Sequence, residues 1–168
     1  MDHKLKLMVV DDSPLFRTWL IHSLSADDRF QVVGYAVNAL DAQEKIPLLQ
    51  PDMLTLDIEM PGMSGIDFLK QLLPVHPIPV ILVSSLNLRV FDALEAGAVD
   101  FVRKPDEANG LSKEIFLSML RSKLMVAAAS HVHLPSAPAD PQAGGIRKVS
   151  SLPPARNTFL QKPKIPLG

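Results

Sequence analysis

Short apolar runs alternate with longer amphipathic stretches along the first three quarters of the chain. The runs are LKLMVV (5–10), FQVVGYA (30–36), DMLTL (52–56), PVILV (79–83) and DFVR (100–103). Their length and bounding turn residues mark them as strands. Helical patterns lie between them at Pro14–Leu24, Ala39–Leu49, Gly65–Leu73 and Leu88–Glu95, and a last one spans Leu111 to Ala129. Strand and helix alternate five times, and the strands are apolar nearly throughout. That predicts an α/β fold with a doubly wound, five-stranded parallel sheet covered on both faces.

Local signals agree with this reading. Ser13-Pro14 predicts an N-cap followed by proline at the first helical position. Leu15, Trp19, Ile21 and His22 would give the first helix a broad side toward the sheet. Pro47 should end or kink the second helix, which is therefore expected to be short. In the last helix Leu111, Ile115, Phe116, Met119, Leu120, Leu124 and Met125 cover more than one narrow stripe. Core contact accounts for most of them, and a partner-binding component is the alternative.

The pattern fails near residue 130. Residues 1–129 carry 17 acidic and 12 basic side chains, whereas residues 130–168 carry one and five. Seven of the 15 prolines fall in this last part, and the stretch LPSAPADPQAGG has no periodicity. Residues 1–129 are thus expected to form the folded domain, and 130–168 a flexible, Pro-rich, basic linker or tail. His131 and His133 in it read as solvated side chains rather than a metal pair.

Composition narrows the function classes. A formal net charge of −1 gives no reason to expect a nucleic-acid partner. No apolar run approaches the roughly 18 residues of a membrane span, so no membrane insertion is expected. The N-terminus, MDHKLKLMVVDD, does not read as a signal peptide. The absence of cysteine excludes disulfides and thiolate metal sites. A cytoplasmic protein is the default expectation.

The polar residues at the strand ends carry the chemistry. Asp11 and Asp12 end the first strand, Asp57 the third, Ser84 and Ser85 the fourth, and Lys104-Pro105 the fifth. Parallel strands present their carboxy ends on one side, where open α/β sheets bind ligands. With strand order 2-1-3-4-5 the first and third strands are neighbours, and three carboxylates converge on one crevice. Crowded carboxylates favour a bound cation, and oxygen ligands without Cys or His suit Mg²⁺ or Mn²⁺. A cation, a lysine and a hydroxyl around one carboxylate make a site for phosphoryl transfer to it. The following EMPGMSG (59–65) would turn the chain away and leave Asp57 open to a donor. Taken singly these residues have plainer readings: capping acids for Asp11 and Asp12, a helix cap for Ser84, a core aromatic for Phe101, a solvated Lys104. Their combination argues otherwise. His22 and His76 have no partner motif and read as structural.

VVDDS, LDIEMPGMSG, VILVSS and AGAVDFVRKP together resemble the response-regulator receiver domain, over about residues 5–129. The resemblance implies a flavodoxin-like fold with roles at matching positions. Asp57 would be the phospho-acceptor. Asp12, Asp57 and the Glu59 main-chain carbonyl would bind Mg²⁺ directly, and Asp11 largely through water. Ser84 would be the switch hydroxyl, Phe101 the switch aromatic, and Lys104 a phosphoryl contact with a cis bond to Pro105. A histidine kinase would be the donor. Phosphorylation would change the affinity of the face formed by the fourth helix, fifth strand and fifth helix for a partner.

DIEMPGMSGIDFL and PVILVSSLN are closer to the N-terminal receiver of the chemotaxis protein-glutamate methylesterases. In that subfamily a receiver, a linker and an esterase domain acting on chemoreceptors follow in order, and residues 130–168 fit the linker. No Gly-x-Ser nucleophile segment follows in the sequence, so this chain alone is not expected to hydrolyse esters. The stretch from Ser84 to Gly97 is a few residues shorter than the subfamily leads one to expect, which implies a trimmed loop or fourth-helix start. A stand-alone receiver or adaptor is one alternative. A metal-dependent phosphohydrolase using Asp57 with Glu59 as general acid is another.

Overall fold

The computed structural model describes residues 3–85 and 89–133, with backbone alone at 131–133. The tail is expected from residue 130, but the last helix continues to His133; residues 134–168 lie outside the described residues, as do residues 86–88 of the Ser84–Gly97 stretch expected to be shortened and the His131 and His133 side chains. The elements in order are β1 (Leu5–Val10), α1 (Pro14–Ser25), β2 (Phe30–Ala36), α2 (Ala39–Leu49), β3 (Met53–Leu56), α3 (Gly65–Leu72), β4 (Val80–Ser84), α4 (Val90–Glu95), β5 (Asp100–Arg103) and α5 (Lys113–His133). A single 3₁₀ turn, Glu107–Asn109, precedes α5.

The five strands form one parallel sheet in the order β2-β1-β3-β4-β5. Alternate residues of each strand point to opposite faces, and the core divides accordingly. Met8, Val10, Leu54, Leu56, Val80 and Leu82 pack with α2, α3 and α4. Leu7, Val9, Met53, Ile81 and Val83 pack with α1 and α5. Most strand positions between the two helical layers are therefore apolar, Thr55 of β3 being a buried exception, which is why the runs lack a polar alternation.

Caps and corners fix where the helices start and stop. The Asn38 side chain accepts from the Asp41 N–H at 2.8 Å, and Ser64 accepts from the Asp67 N–H at 3.2 Å. Asp27, after α1, bonds Arg29 at 2.7 Å and lies 3.4 Å from Arg121 on α5. Arg121 also donates to the Ser23 carbonyl at 3.1 Å, so the turn into β2 is tied to α5.

Several expectations need correction. α2 continues through Pro47 to Leu49. The proline sits in the last turn, where one lost N–H leaves the earlier bonds intact, and the helix ends at Gln50 in the left-handed region. On α1, Leu15 is 88% exposed and His22 is exposed. The inner face is Leu20 and Leu24, with Phe16, Trp19 and Ile21 packed beside them. Ser13 sits at the N-cap, but its hydroxyl makes no capping bond; its N–H instead donates to Asp11 Oδ1 at 2.8 Å. α4 spans Val90–Glu95, and the expected start at Leu88 lies outside the described residues. On α5 the buried stripe is Phe116, Leu120, Leu124, Ala127 and Ala128, whereas Ile115 and Met119 are exposed.

Candidate functional site

The β1–β3 register sets Val10 opposite Leu56, so the next residues, Asp11 and Asp57, meet at the carboxy edge. The backbone continues the pairing, with the Asp57 N–H bonding the Val10 carbonyl at 3.0 Å. Asp11 and Asp57 are buried and Asp12 is exposed, and ligand oxygens of all three lie within 4.8 Å of one another. On the other side the Lys104 N–H bonds the Ser84 carbonyl at 3.0 Å, which draws the end of β5 toward that of β4. The Lys104 ammonium stands 2.9 Å from Asp11 Oδ2 and 3.5 Å from Asp57 Oδ2.

These distances set the electrostatics. Burial pushes the Asp57 carboxyl up from its ordinary value to about 6; Lys104 and the Glu59 N–H oppose the rise, and Asp11 adds to it. Three carboxylates face one ammonium, which leaves the cluster under-neutralised. The oxygen donors fit a hard divalent ion such as Mg²⁺. The Glu59 N–H donates to Asp57 Oδ1 at 3.2 Å while its side chain is exposed. A groove of about 460 Å³ opens beside the acids, lined by Asp12, Ile58, Glu59, Met60, Pro61, Ser64 and Arg89.

Gly65 explains the tightness of the turn after β3. A side-chain carbon there would lie 2.6 Å from the Asp57 carbonyl oxygen and 2.8 Å from the Ile58 Cα, both backbone atoms. The Gly65 N–H bonds the Ile58 carbonyl at 2.8 Å. α3 therefore begins pressed against the backbone that carries Asp57.

The structure thus brings together Asp11, Asp12, Asp57 and Lys104. Ser84 ends β4, fully buried. Phe101 lies three residues before Lys104 on β5, half-buried against the α2–α4 layer. The Lys104–Pro105 bond is trans, against the cis form that the resemblance implied. Trans is the lower-energy isomer of any X–Pro bond unless its surroundings force the other. Two further residues touch the cluster. Arg17 donates to the Asp11 carbonyl at 2.8 Å, and the Phe16 ring lies 4.5 Å from the Lys104 ammonium. Both sit on the first turn of α1; the Arg17 contact is local, six residues back, whereas the Phe16–Lys104 contact spans the fold and leaves no mark in the linear pattern.

Comparison with known proteins gives a consistent result. The family model described as response regulator receiver domain matches residues 7–116. The protein-glutamate methylesterase/protein-glutamine glutaminase 2 of Syntrophomonas wolfei is 45% identical over 129 residues, which cover 77% of this chain and 38% of that protein. A homologue of the same name from Vibrio vulnificus is 43% identical, with 79% and 39% covered. The chain thus spans about two fifths of the length of these curated relatives. The response regulator domain of Thermotoga maritima CheB superposes with a TM-score of 0.69 at 37% identity, covering 76% of this chain and 98% of that one. Among the described residues no helix is long and apolar enough to cross a membrane.

Proposed function

The chain belongs to the response-regulator receiver family, and from that premise we propose that it is a phosphorylation switch in which Asp57 accepts a phosphoryl group from a histidine kinase. The observation that carries this reading is the meeting of Asp11, Asp12 and Asp57 within 4.8 Å, with the Lys104 ammonium 2.9 and 3.5 Å from two of them. Asp12, Asp57 and the Glu59 main-chain carbonyl would hold Mg²⁺, and Asp11 would reach it through water. When bound, Mg²⁺ supplies positive charge opposite the phosphoryl oxygens.

The remaining steps use the chain's own residues. One Asp57 carboxylate oxygen attacks phosphorus. The P–O bond forms as the P–N bond to the kinase histidine breaks, and the imidazole nitrogen leaves with the electron pair. Near neutral pH Asp57 is ionised, since its pKa of about 6 lies below it. Lys104 exchanges part of its pairing with Asp11 and Asp57 for a phosphoryl oxygen, and Ser84 donates to another. Phe101 then repacks against the α2–α4 layer, and the α4–β5–α5 face changes its affinity for a partner. Such a bias is worth about 1–3 kcal/mol.

The relatives' names suggest the larger setting. We read this chain as the regulatory part of a chemotaxis protein-glutamate methylesterase, acting on an esterase domain and, through it, on chemoreceptors. A stand-alone adaptor is the other reading, and an esterase domain in the downstream reading frame decides between them. The phospho-acceptor itself is tested with labelled acetyl phosphate. Wild type is expected to incorporate label only with Mg²⁺, as a hydroxylamine-sensitive acyl phosphate, and Asp57→Asn to incorporate none. Label that resists hydroxylamine, or that persists in the variant, contradicts the assignment.

A further inference from the structure

The Lys104 ammonium is held from two sides. Asp11 and Asp57 take one side at 2.9 and 3.5 Å, and the face of the Phe16 ring takes the other, 4.5 Å from centroid to nitrogen. A lysine stem has four rotatable carbons and no preference of its own for one position. Carboxylates alone do not define that position, because their charge is to be altered by a cation and a phosphoryl group. An aromatic face attracts the ammonium whatever the state of the carboxylates.

The ring is itself fixed. Phe16 packs on Trp19 with centroids 5.6 Å apart and meets Phe116 of α5 edge-on at 5.8 Å. Phe116 is fully buried, and Trp19 closes the triangle at 5.9 Å. The platform under Lys104 is therefore anchored in the α1–α5 core. It also covers one flank of a side chain that is only 16% exposed, which keeps water off that flank.

We propose that Phe16 is a positioning residue for phosphoryl transfer: its ring face holds the Lys104 ammonium at the mouth of the acid cluster, where a phosphoryl oxygen of the donor will sit. This rests on the reading of Asp57 as acceptor and adds to it how the lysine is kept in place. The ring contributes geometry to the transfer, and no bond to it forms or breaks.

The test is the rate of Mg²⁺-dependent self-phosphorylation from acetyl phosphate. Phe16→Leu keeps an apolar side chain of similar bulk but removes the π face, and is expected to slow transfer about three- to tenfold. Phe16→Tyr keeps the face and is expected to stay within about twofold of wild type. In a Lys104→Met background Phe16→Leu is expected to add no further slowing, because the group it positions is gone. Unchanged transfer in Phe16→Leu, equal slowing in Phe16→Tyr, or the same slowing in both backgrounds overturns the proposal. Should Lys104→Met be too slow to time, the NMR shift of the Lys104 ε-methylene decides. An upfield ring-current shift in wild type that is lost in Phe16→Leu supports the contact; no such shift refutes it. Circular dichroism melts separate these effects from loss of fold. If wild type takes up no label at Asp57, the acceptor assignment has failed. If wild type is labelled normally and the Phe16 variants behave alike, only the present inference has.

Discussion

Asp27 and Asp57 are the same side chain in opposite situations. Asp27, at the corner between α1 and β2, is held down at about 2, chiefly by its hydrogen bonds to Arg29. Asp57, at the end of β3, is pushed up to about 6, chiefly by burial. The corner has a partner for its charge within the chain, so its carboxylate stabilises the fold. The cluster at the strand ends gathers three carboxylates around one ammonium, so its ionised form opposes the fold. A protein selected only for stability has no reason to keep that cluster; one that must capture a cation and a phosphoryl group does.

The contrast has a direct signature in pH. The raised pKa of Asp57 means the unfolded chain gives up this proton first as pH rises from about 4 to about 6. The stability associated with Asp57 is therefore present below about 4 and lost across that window, by about 2–3 kcal/mol in total. The unfolding free energy of wild type minus that of Asp57→Asn, from urea titrations at several pH values, is expected to fall accordingly without Mg²⁺ and to flatten at saturating Mg²⁺. Asp27 behaves in reverse: its contribution is present above about 4 and lost as pH falls toward 2.

Next in size is the turn that presents Asp57. Gly65→Ala must displace the Asp57–Ile58 backbone and is expected to cost about 1–3 kcal/mol and slow labelling as well. Gly62→Ala, at φ 82° with open space around it, is expected to cost about 1 kcal/mol and leave labelling nearly intact. Asp27→Asn, at the corner, is expected to cost about 1 kcal/mol with no change in labelling. The smallest effect belongs to Thr55, two residues before Asp57, whose buried hydroxyl has no hydrogen-bond partner among the described residues. Thr55→Val is expected to raise stability by up to about 1 kcal/mol, read from the urea midpoint.

The pattern of apolar runs was enough for the fold, because each strand must satisfy two helical layers at once and so cannot hide its identity. The apolar runs did not fix the strand order; once the order 2-1-3-4-5 is taken, β1 and β3 are neighbours and the meeting of Asp11 with Asp57 at their carboxy ends follows. What escaped the sequence depends on side-chain direction and local context. Leu15 looked like a core residue, but its position on α1 turns it to solvent. Pro47 looked like a stop, but the last turn of a helix tolerates it. Ser13 has the identity of a cap, yet Asp11 takes its N–H and the hydroxyl is left out. Phe16 reaches the cluster only once α1 has docked, and Gly65 is needed because two backbones touch there.

The central claim is that one carboxylate among the three is the acceptor. Borohydride reduces an acyl phosphate of aspartate to homoserine, so peptide mapping after Mg²⁺-dependent phosphorylation locates it. The account predicts homoserine at position 57 alone. Homoserine at position 11 or 12, or none in protein that carries label, would contradict it.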